Sequence, residues 1–339
     1  MMSHTYKESV VGKEPGISAI VLVPYAYANV GQLMRHLQAQ TVAGRVEIVF
    51  VTPDVAALNP PPEEISCFAA VRAVSSGGAF RSSAAARVPG VHAATAPVVA
   101  LTEEHSMPEP DWAENILAAY ATGTWAAVGP GIVNANPDSA VSWVNFLLEY
   151  GQWSDPVPAS EPEHLPGHNC TYRRDALLSY GDDLGTMLEA ESLIHWDLRA
   201  KGRRICMYPA ARTRHWNYSV TWGWVPLRFL GGKLFAGYRS RQQGWSLGKR
   251  MAYLLGSPLI PWVRLRRIIA ESHVPGRPQK ALLPRLMPLL MLSLVVDAMG
   301  EASGYLAGPG RSQDQLAASE FNRRNELNAR DRMREDSPG

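Results

Sequence analysis

The sequence predicts an α/β fold with a mostly parallel central sheet flanked by helices. Residues 17–23 form a run of apolar and β-branched side chains, which is typical of a buried parallel strand, and residues 46–51 form a second, mostly apolar run. Leucine and methionine at helical spacing lie between the two runs. Such a strand–helix–strand unit crosses over right-handed into a parallel sheet. Ligands bind outside the carboxyl ends of parallel strands, so the residues that follow each strand are candidates for a site.

The composition is that of a globular protein with a large core, and its charge balance argues against a nucleic-acid partner. The 339 residues carry 33 Lys and Arg against 31 Asp and Glu, a formal net charge of +2, which gives no electrostatic case for nucleic acid. Three cysteines, without metal-ligand spacing, indicate a reduced, cytoplasmic compartment. Residues 1–16 lack an apolar signal-peptide core, so we expect a flexible N-terminus and no secretion.

The stretch from residue 98 to residue 112 combines a strand with acidic residues. Residues 98–101 form a short apolar run that predicts a buried strand, and the polar sequence Thr-Glu-Glu-His follows at residues 102–105. Carboxylates and an imidazole at the end of a strand can hold a divalent cation or contact a ligand at the sheet edge. The alternative is a solvated acidic turn.

This stretch resembles the metal-binding segment of family 2 glycosyltransferases, which have the A-type nucleotide-sugar fold. In that family, carboxylates at the tip of such a strand hold Mg²⁺ or Mn²⁺ against the donor diphosphate. The resemblance includes the Pro-x-Pro-x-Trp sequence that follows the acidic tip. It implies that Glu103, Glu104 and His105 are metal ligands, although the family usually has aspartates where this chain has Thr-Glu-Glu-His.

Two segments resemble the donor-binding half of the family. The first strand ends at Pro24 and Tyr25, and the next helix ends in Ala-Gln-Thr at residues 39–41. After the second strand, the family has an aspartate that reads the uracil of the donor. This chain has Thr52 at about that point and Asp54 two residues later. The resemblance implies a donor site lined by these residues, and which of the last two contacts the base is open.

Residues 84–94 resemble the Ala-Arg-Asn-x-Gly helix of the family. Arg87 keeps the arginine, and Val88 replaces the asparagine. A guanidinium can bind two phosphate oxygens at once, so the resemblance implies that Arg87 contacts the donor diphosphate. The alternative is an ordinary solvated arginine.

Residues 165–177 resemble the acceptor-side segment of the family, a glycine-rich turn that leads into a strand and an Arg-Arg pair. The resemblance implies acceptor contacts from His168, Asn169 and Arg173. A tight turn with exposed arginines is the alternative.

The helix predicted at residues 187–202 begins with two acids, Glu189 and Glu191. Counted back from Gly202, Glu191 occupies the position of the family's catalytic base, whereas Glu189 is out of register. Acids at a helix start also favour the helix dipole, which is the simpler explanation. A histidine after the next strand commonly completes the family's metal or diphosphate site, which implies that role for His215. A lone histidine is more often structural.

Beyond residue 225 the composition changes. Residues 226–310 mix basic, tryptophan and apolar residues, which predicts either an interfacial membrane segment or a helical lid packed on the catalytic domain. The apolar run at residues 282–296 is broken by two prolines and an arginine and falls short of the ~20 residues that span a bilayer. Residues 311–339 are polar without apolar periodicity, which predicts a disordered tail.

Together these segments predict an inverting glycosyltransferase in residues 17–225, with a Mn²⁺ or Mg²⁺ cofactor and a UDP- or GDP-linked donor. The acceptor would be a glycan or a lipid-linked molecule in cell-envelope or exopolysaccharide synthesis, on the cytoplasmic side of the membrane. Gly244 replaces the arginine of the Gln-x-x-Arg-Trp motif of processive synthases, so we expect a single transfer. Altered residues at 52–53 and 102–103 leave open a non-catalytic nucleotide-sugar or glycan-binding protein. A nucleotidyltransferase is a further alternative, but no glycine-rich phosphate loop follows the first strand.

Overall fold

A computed structural model describes residues 3–7, 14–189 and 191–336, except for the side chains of His168, Glu191 and Asp336. The strands are β1 (Ser3–Lys7), β2 (Ile17–Leu22), β3 (Val46–Thr52), β4 (Ala70–Ser75), β5 (Val98–Leu101), β6 (Ser106–Pro108), β7 (Trp125–Asn134), β8 (Thr171–Arg173) and β9 (Arg204–His215). The helices are α1 (Gly31–Gln38), α2 (Pro62–Ile65), α3 (Ser83–Ala93), α4 (Trp112–Ala121), α5 (Ala140–Glu149), α6 (Arg174–Leu178), α7 (Leu184–Glu189), α8 (Glu191–Ala200), α9 (Thr221–Gln242), α10 (Leu247–Gly256), α11 (Ile260–Ser272), α12 (Gln279–Ala307), α13 (Ser312–Glu320) and α14 (Ala329–Asp336).

The chain divides into two compact units. Unit 1 comprises the described residues within Met1–Val133 and Val157–His215, and unit 2 comprises those within Asn134–Pro156 and Trp216–Ser337. The division at residue 215 falls earlier than the boundary expected near residue 225. Unit 2 also takes up the segment around α5, which the sequence analysis placed in the catalytic domain.

Unit 1 is built on one sheet, whose described strands follow the order β1-β4-β3-β2-β5-β8-β7-β9-β6. The four strands β4, β3, β2 and β5 run parallel to one another. Every residue of β2 and β3 is buried, because the sheet is covered on both faces and the strands are mostly apolar. Two of their buried polar side chains pair with each other, since Ser18 donates to Glu47. Buried Leu33, Met34 and Leu37 form the inner face of α1. The predicted α/β class, with a parallel centre and flanking helices, is confirmed.

The strands beyond this parallel centre include antiparallel pairs that the sequence did not indicate. β8 pairs antiparallel with β5 and with β7, and β6 pairs antiparallel with β9. The register of the last pair sets Ser106 opposite His215. This pairing brings the residues just after β5 beside the end of β9, although they are far apart in sequence.

Two segments expected to lack structure contain regular elements. In residues 3–7, within the N-terminus expected to be flexible, β1 pairs antiparallel with β4. Within residues 311–336, α13 and α14 replace the expected disorder. The tail is held by polar contacts rather than by an apolar stripe. Buried Asp331 accepts hydrogen bonds of 2.9 Å from both Asn136 and Asn328.

Unit 2 contains a close crossing of two long helices, α9 and α12. The prolines and the arginine that interrupt the apolar run at residues 282–296 do not interrupt the helix, since α12 continues through Pro284 and Pro288. Its glycines lie against the backbone of α9, where a β-carbon on Gly300 would overlap the Phe229 carbonyl.

Buried ion pairs fix the polar side of α12. Asp297 accepts from Arg228 at 2.7 Å and also from Arg264, and Arg264 donates to Glu301 at 2.7 Å. Burial raises the pKa of the Glu301 carboxyl, with Arg264 opposing the shift. Both carboxylates are buried, so their ion pairs tie α12 to its neighbours within unit 2.

Among the described helices, α12 alone is long and apolar enough to cross a membrane. It has 29 residues and a mean hydropathy of 1.7 over its most apolar window, of which 39% is buried. The helix meets this criterion by its length and composition alone. A single helix of this kind is weak evidence for a membrane span, since core helices of soluble proteins meet the same criterion.

Candidate metal and donor site

Three buried side chains converge at the carboxyl end of β5. One potential ligand atom each from Glu103, His105 and His215 lies within 4.8 Å of the others. Glu103 Oε2 is 3.5 Å from His105 Nε2 and 3.6 Å from His215 Nε2. The two imidazole rings pack edge to face, with centroids 4.7 Å apart. One carboxylate and two imidazoles at these distances form a possible metal-binding triad.

The sheet explains why the three residues meet. β5 ends at Leu101, and a tight turn follows in which Ser106 N donates to Glu103 O at 3.0 Å. β6 then pairs with β9, which places His215 opposite Ser106 and beside His105. Two of the three ligands therefore depend on a pairing between residues more than a hundred positions apart.

The residues around the triad orient its members. Asn169, which precedes β8, donates from Nδ2 to Glu103 Oε2 at 3.1 Å. Glu104 Oε1 lies 3.3 Å from His105 Nδ1, so a proton on Nδ1 leaves the Nε2 lone pair directed at the triad. This carboxylate–histidine arrangement is typical of metal-binding histidines. Burial alone would raise the pKa of the Glu104 carboxyl, but His105 outweighs it and lowers the pKa overall.

The triad fits a divalent cation. His105 Nε2 is buried and makes no hydrogen bond to any residue that the structure describes. Leaving such an atom unsatisfied costs about 1–3 kcal/mol, which a bound cation would remove. Glu104 was predicted to be a ligand, but the structure places it on the far nitrogen of His105, outside the three converging groups.

Arg87 is not a solvated surface residue. It projects from α3 and is 1% exposed. Its Nη2 donates to Thr102 O at 3.2 Å, and Thr102 Oγ1 donates to Ile20 O at 2.7 Å. The Nε and Nη1 atoms of Arg87 are buried and make no hydrogen bond within the described residues. The guanidinium therefore lies behind the strand tip that carries Glu103, with two donors unused.

The predicted donor residues lie at the same edge of the sheet. Pro24 and Tyr25 follow β2, Thr52 ends β3, and both strands are parallel to β5. Tyr25 is exposed, whereas Thr52 is buried with its Oγ1 3.4 Å from Asp54 O. The exposed Asp54 caps a turn, because its Oδ1 accepts from the next backbone amides at 2.9 and 3.2 Å.

The predicted acceptor residues are separated. Asn169 lies against Glu103, and the side chain of His168 falls outside the described part of the chain. Arg173 is opposite Val98, at the start of β5, and its guanidinium lies 5.3 Å from the centre of the Tyr120 ring. Because β8 runs antiparallel to β5, its last residue is at the edge away from the triad. The structure therefore does not bring Arg173 to the site.

The two helix acids have different surroundings. Glu189, the last residue of α7, accepts a hydrogen bond from Ser82, the residue that caps α3. Glu191 begins α8, and its side chain lies outside the described residues. Glu189 therefore has a structural partner, and the role of Glu191 stays a prediction.

A buried histidine on α8 was not predicted. His195 Nδ1 accepts from Leu165 N at 3.4 Å, which leaves the proton on Nε2, 2.9 Å from Tyr172 Oη. Burial, with a smaller contribution from His164, lowers the pKa of His195 to about 3. Its neighbour Ile194 is also fully buried. The apolar face of α8 was therefore the sequence signal from which burial of His195 could have been predicted.

Known glycosyltransferases are similar to this chain in sequence and in structure. No family model matches the chain. In sequence, it is 29% identical over 159 residues to the pre-mycofactocin glycosyltransferase of two Mycobacterium tuberculosis strains, a match covering 45% of this chain and 34% of the relative. The chain thus matches only about a third of the length of these curated relatives.

In structure, the chain is similar to a mannosyltransferase from Pyrobaculum calidifontis, solved in complex with GDP-Man and Mn²⁺. The TM-score is 0.50 at 15% identity, and the match covers 90% of this chain and 89% of the mannosyltransferase. The chain has the A-type glycosyltransferase fold. The resemblance read from the sequence is confirmed at the level of the fold, with the triad at the sheet edge where this class of fold binds ligands.

Proposed function

We propose that the chain is a metal-dependent glycosyltransferase that uses a nucleoside-diphosphate sugar. The triad of Glu103, His105 and His215 at the carboxyl edge of the parallel strands carries this proposal. The sequence similarity to a glycosyltransferase supports it, as does the fold shared with a mannosyltransferase bound to GDP-Man and Mn²⁺. UDP- and GDP-linked sugars are the donor classes we expect.

The triad would hold the cation, and Glu104 and Asn169 would fix the orientation of its ligands. Of Mn²⁺ and Mg²⁺, two imidazoles favour Mn²⁺, because Mg²⁺ prefers oxygen ligands throughout. A bound divalent cation would neutralise charge on the leaving diphosphate. Arg87 adds a fixed positive charge behind the same strand tip.

The donor would lie along the edge formed by the ends of β2, β3 and β5. Tyr25 and Asp54 are exposed at this edge, beside Pro24, where a nucleoside would lie. Asp54 is the better candidate for a base contact than Thr52, because Thr52 is buried. Its second carboxylate oxygen remains available when the first caps the turn.

We infer that Glu191 is the catalytic base. Its carboxylate would take the proton of the acceptor hydroxyl while that oxygen forms a bond to the anomeric carbon and the bond to the diphosphate breaks. This single displacement inverts the anomeric configuration. Acceptor contacts from His168 and Asn169 belong to the same proposal, whereas Arg173 is too far along β8 to contribute.

The assignment of the base predicts a difference between two neighbouring acids. Glu191→Gln keeps the shape and removes the basicity, so kcat should fall by about 10²- to 10⁴-fold with little change in donor affinity. Glu189→Gln is the matched control and should turn over almost normally, since Glu189 bonds Ser82. Steady-state kinetics of the two variants distinguishes the two acids. An inactive Glu189→Gln protein and an active Glu191→Gln protein would mean that Glu189 is the base.

We place the enzyme in the cytoplasm as a single-transfer, family 2-like transferase acting on a glycan or lipid-linked acceptor in cell-envelope or exopolysaccharide synthesis. The alternative is a nucleotide-sugar or glycan-binding protein without activity.

Release of nucleoside diphosphate from UDP- and GDP-sugars, with Mn²⁺ and an acceptor panel that includes pre-mycofactocin, separates the enzyme from the binding protein. Turnover that a chelator abolishes is expected. Donor binding without turnover for every pair would support the binding protein.

A further inference from the structure

An apolar stripe on α10 and α11 faces outward. Leu247, Met251 and Leu255 recur every four residues and therefore share one face of α10. Leu259 and Trp262 continue the stripe into α11, and all five are between 38% and 77% exposed. Amphipathic helices normally turn such a stripe toward the core. Here it is presented to the surroundings instead.

This stripe is concentrated in a short segment. Of the fifteen large hydrophobic side chains exposed among the described residues, seven lie between residues 247 and 263. Scattered exposed apolar side chains are ordinary, but a contiguous group of them indicates a surface that meets another apolar phase. The stripe therefore requires an occupant.

The charges beside the stripe identify that occupant. The segment from residue 247 to residue 272 contains five basic residues and one acid, Glu271. Arg266 and Arg267 are exposed, whereas Arg264 is engaged by buried carboxylates. Lys249 lies over the ring of buried Trp245, on the opposite face of α10 from the stripe. A second copy of the chain would bring like charges together on this face. Anionic lipid headgroups would match them, and acyl chains would match the leucines and the tryptophan.

The long apolar helix α12 does not need a membrane. Its carboxylates Asp297 and Glu301 are buried and paired with arginines of α9 and α11. Its glycines lie in contact with the α9 backbone, as at Gly300. These contacts hold one face of α12 inside unit 2, against α9 and α11.

We propose that α10 and α11 lie in the plane of an anionic membrane surface while α12 stays packed against α9. Leu255, Leu259 and Trp262 enter the boundary between headgroups and acyl chains, and Arg266 and Arg267 contact the anionic headgroups. The attachment is interfacial rather than spanning. It does not depend on the reaction proposed above, because none of these residues belongs to the triad.

Sedimentation of the full-length protein with vesicles tests this proposal. At low salt it should pellet with phosphatidylcholine vesicles that contain a quarter of phosphatidylglycerol, and much less with phosphatidylcholine alone. Leu255→Ser/Leu259→Ser/Trp262→Ser should weaken partitioning at least about tenfold. The matched control, Leu292→Ser/Val295→Ser/Met299→Ser, changes three exposed residues of α12 and should bind as the unmodified protein does.

A charge variant provides a second measure. Arg266→Gln/Arg267→Gln should lower binding to the anionic vesicles by about fivefold per charge removed. All the substituted side chains are exposed, so the melting temperature without vesicles should be unchanged. Alkaline carbonate should release the bound protein. Failure to pellet with anionic vesicles, equal loss in the α12 control, or resistance to carbonate would each overturn the proposal.

Discussion

At the scale of single residues, Glu104 illustrates how a predicted ligand can have a different role. The carboxylate lies 3.3 Å from Nδ1 of His105, on the side of the ring away from the triad. In this position it fixes the tautomer and the ring orientation, and it increases the basicity of the nitrogen that would bind a cation. Sequence spacing indicates that an acid is near the metal, but only the side-chain direction separates a ligand from an orienting residue.

Glu104→Gln should therefore weaken Mn²⁺ binding by about 10- to 100-fold and leave the fold intact. His105→Ala removes a ligand and should weaken it further. Calorimetric titration of each purified variant with Mn²⁺ measures the difference. Equal losses in the two variants would mean that Glu104 binds the cation directly.

His195 gives the protein an acid-sensitive point. Burial lowers the folded pKa of His195 to about 3, against 6.5 for the exposed residue. The Leu165 N–H also already occupies the lone pair of Nδ1. Above pH 6.5 both states are neutral and stability is unaffected. As the pH falls from 6.5 toward 3, only the unfolded state gains the proton, so the fold loses up to about 1.4 kcal/mol per pH unit from this group.

Urea unfolding between pH 4 and 7 measures that slope. His195→Gln, which keeps a donor and an acceptor but cannot titrate, should show a shallower dependence on pH than the unmodified protein. The same slope in both proteins would show that the acid sensitivity lies elsewhere.

At the scale of elements, the crossing of α9 and α12 depends on glycines at contact positions. A β-carbon at position 300 would overlap the Phe229 carbonyl, whereas one at Gly231 meets no atom within 4 Å. Both glycines lie inside helices, so the backbone cost of glycine is the same in each. The two sites differ in packing alone.

Gly300→Ala should destabilise unit 2 by about 1–3 kcal/mol, because the helices must separate to accept the methyl group. Gly231→Ala should be neutral or stabilising by up to about 1 kcal/mol, through lower unfolded-state entropy. Thermal and urea unfolding of the two variants provides the comparison. A stabilised Gly300→Ala protein would contradict the close crossing.

The short strands of the sheet explain what sequence reasoning missed at this scale. β6 and β8 have three residues each, too few for a period of two to be read. Their positions follow from pairing with distant strands, which a single sequence does not reveal. His215 was nevertheless assigned to the metal site through the resemblance, whereas Arg173 was assigned to the wrong edge because the direction of β8 was unknown.

At the scale of the whole molecule, the parallel centre was predictable because β2, β3 and β5 are short, mostly apolar runs. The A-type fold followed from several weak motifs in the correct order. The helices of unit 2 were harder to predict for two physical reasons. The prolines within α12 interrupt its apolar run without ending the helix, and α13 and α14 are held by polar contacts such as those of Asp331, which leave no apolar periodicity.

Binding of nucleoside diphosphate with and without Mn²⁺, measured by calorimetry, tests most directly whether the triad holds a cation that the donor needs. The unmodified protein should bind UDP or GDP only when Mn²⁺ is present. His105→Gln/His215→Gln should lose the Mn²⁺-dependent part by more than the roughly 100-fold expected from a residue that only orients a ligand, with an unchanged melting temperature. Equal Mn²⁺-dependent binding by the variant and the unmodified protein would contradict a metal site at Glu103, His105 and His215.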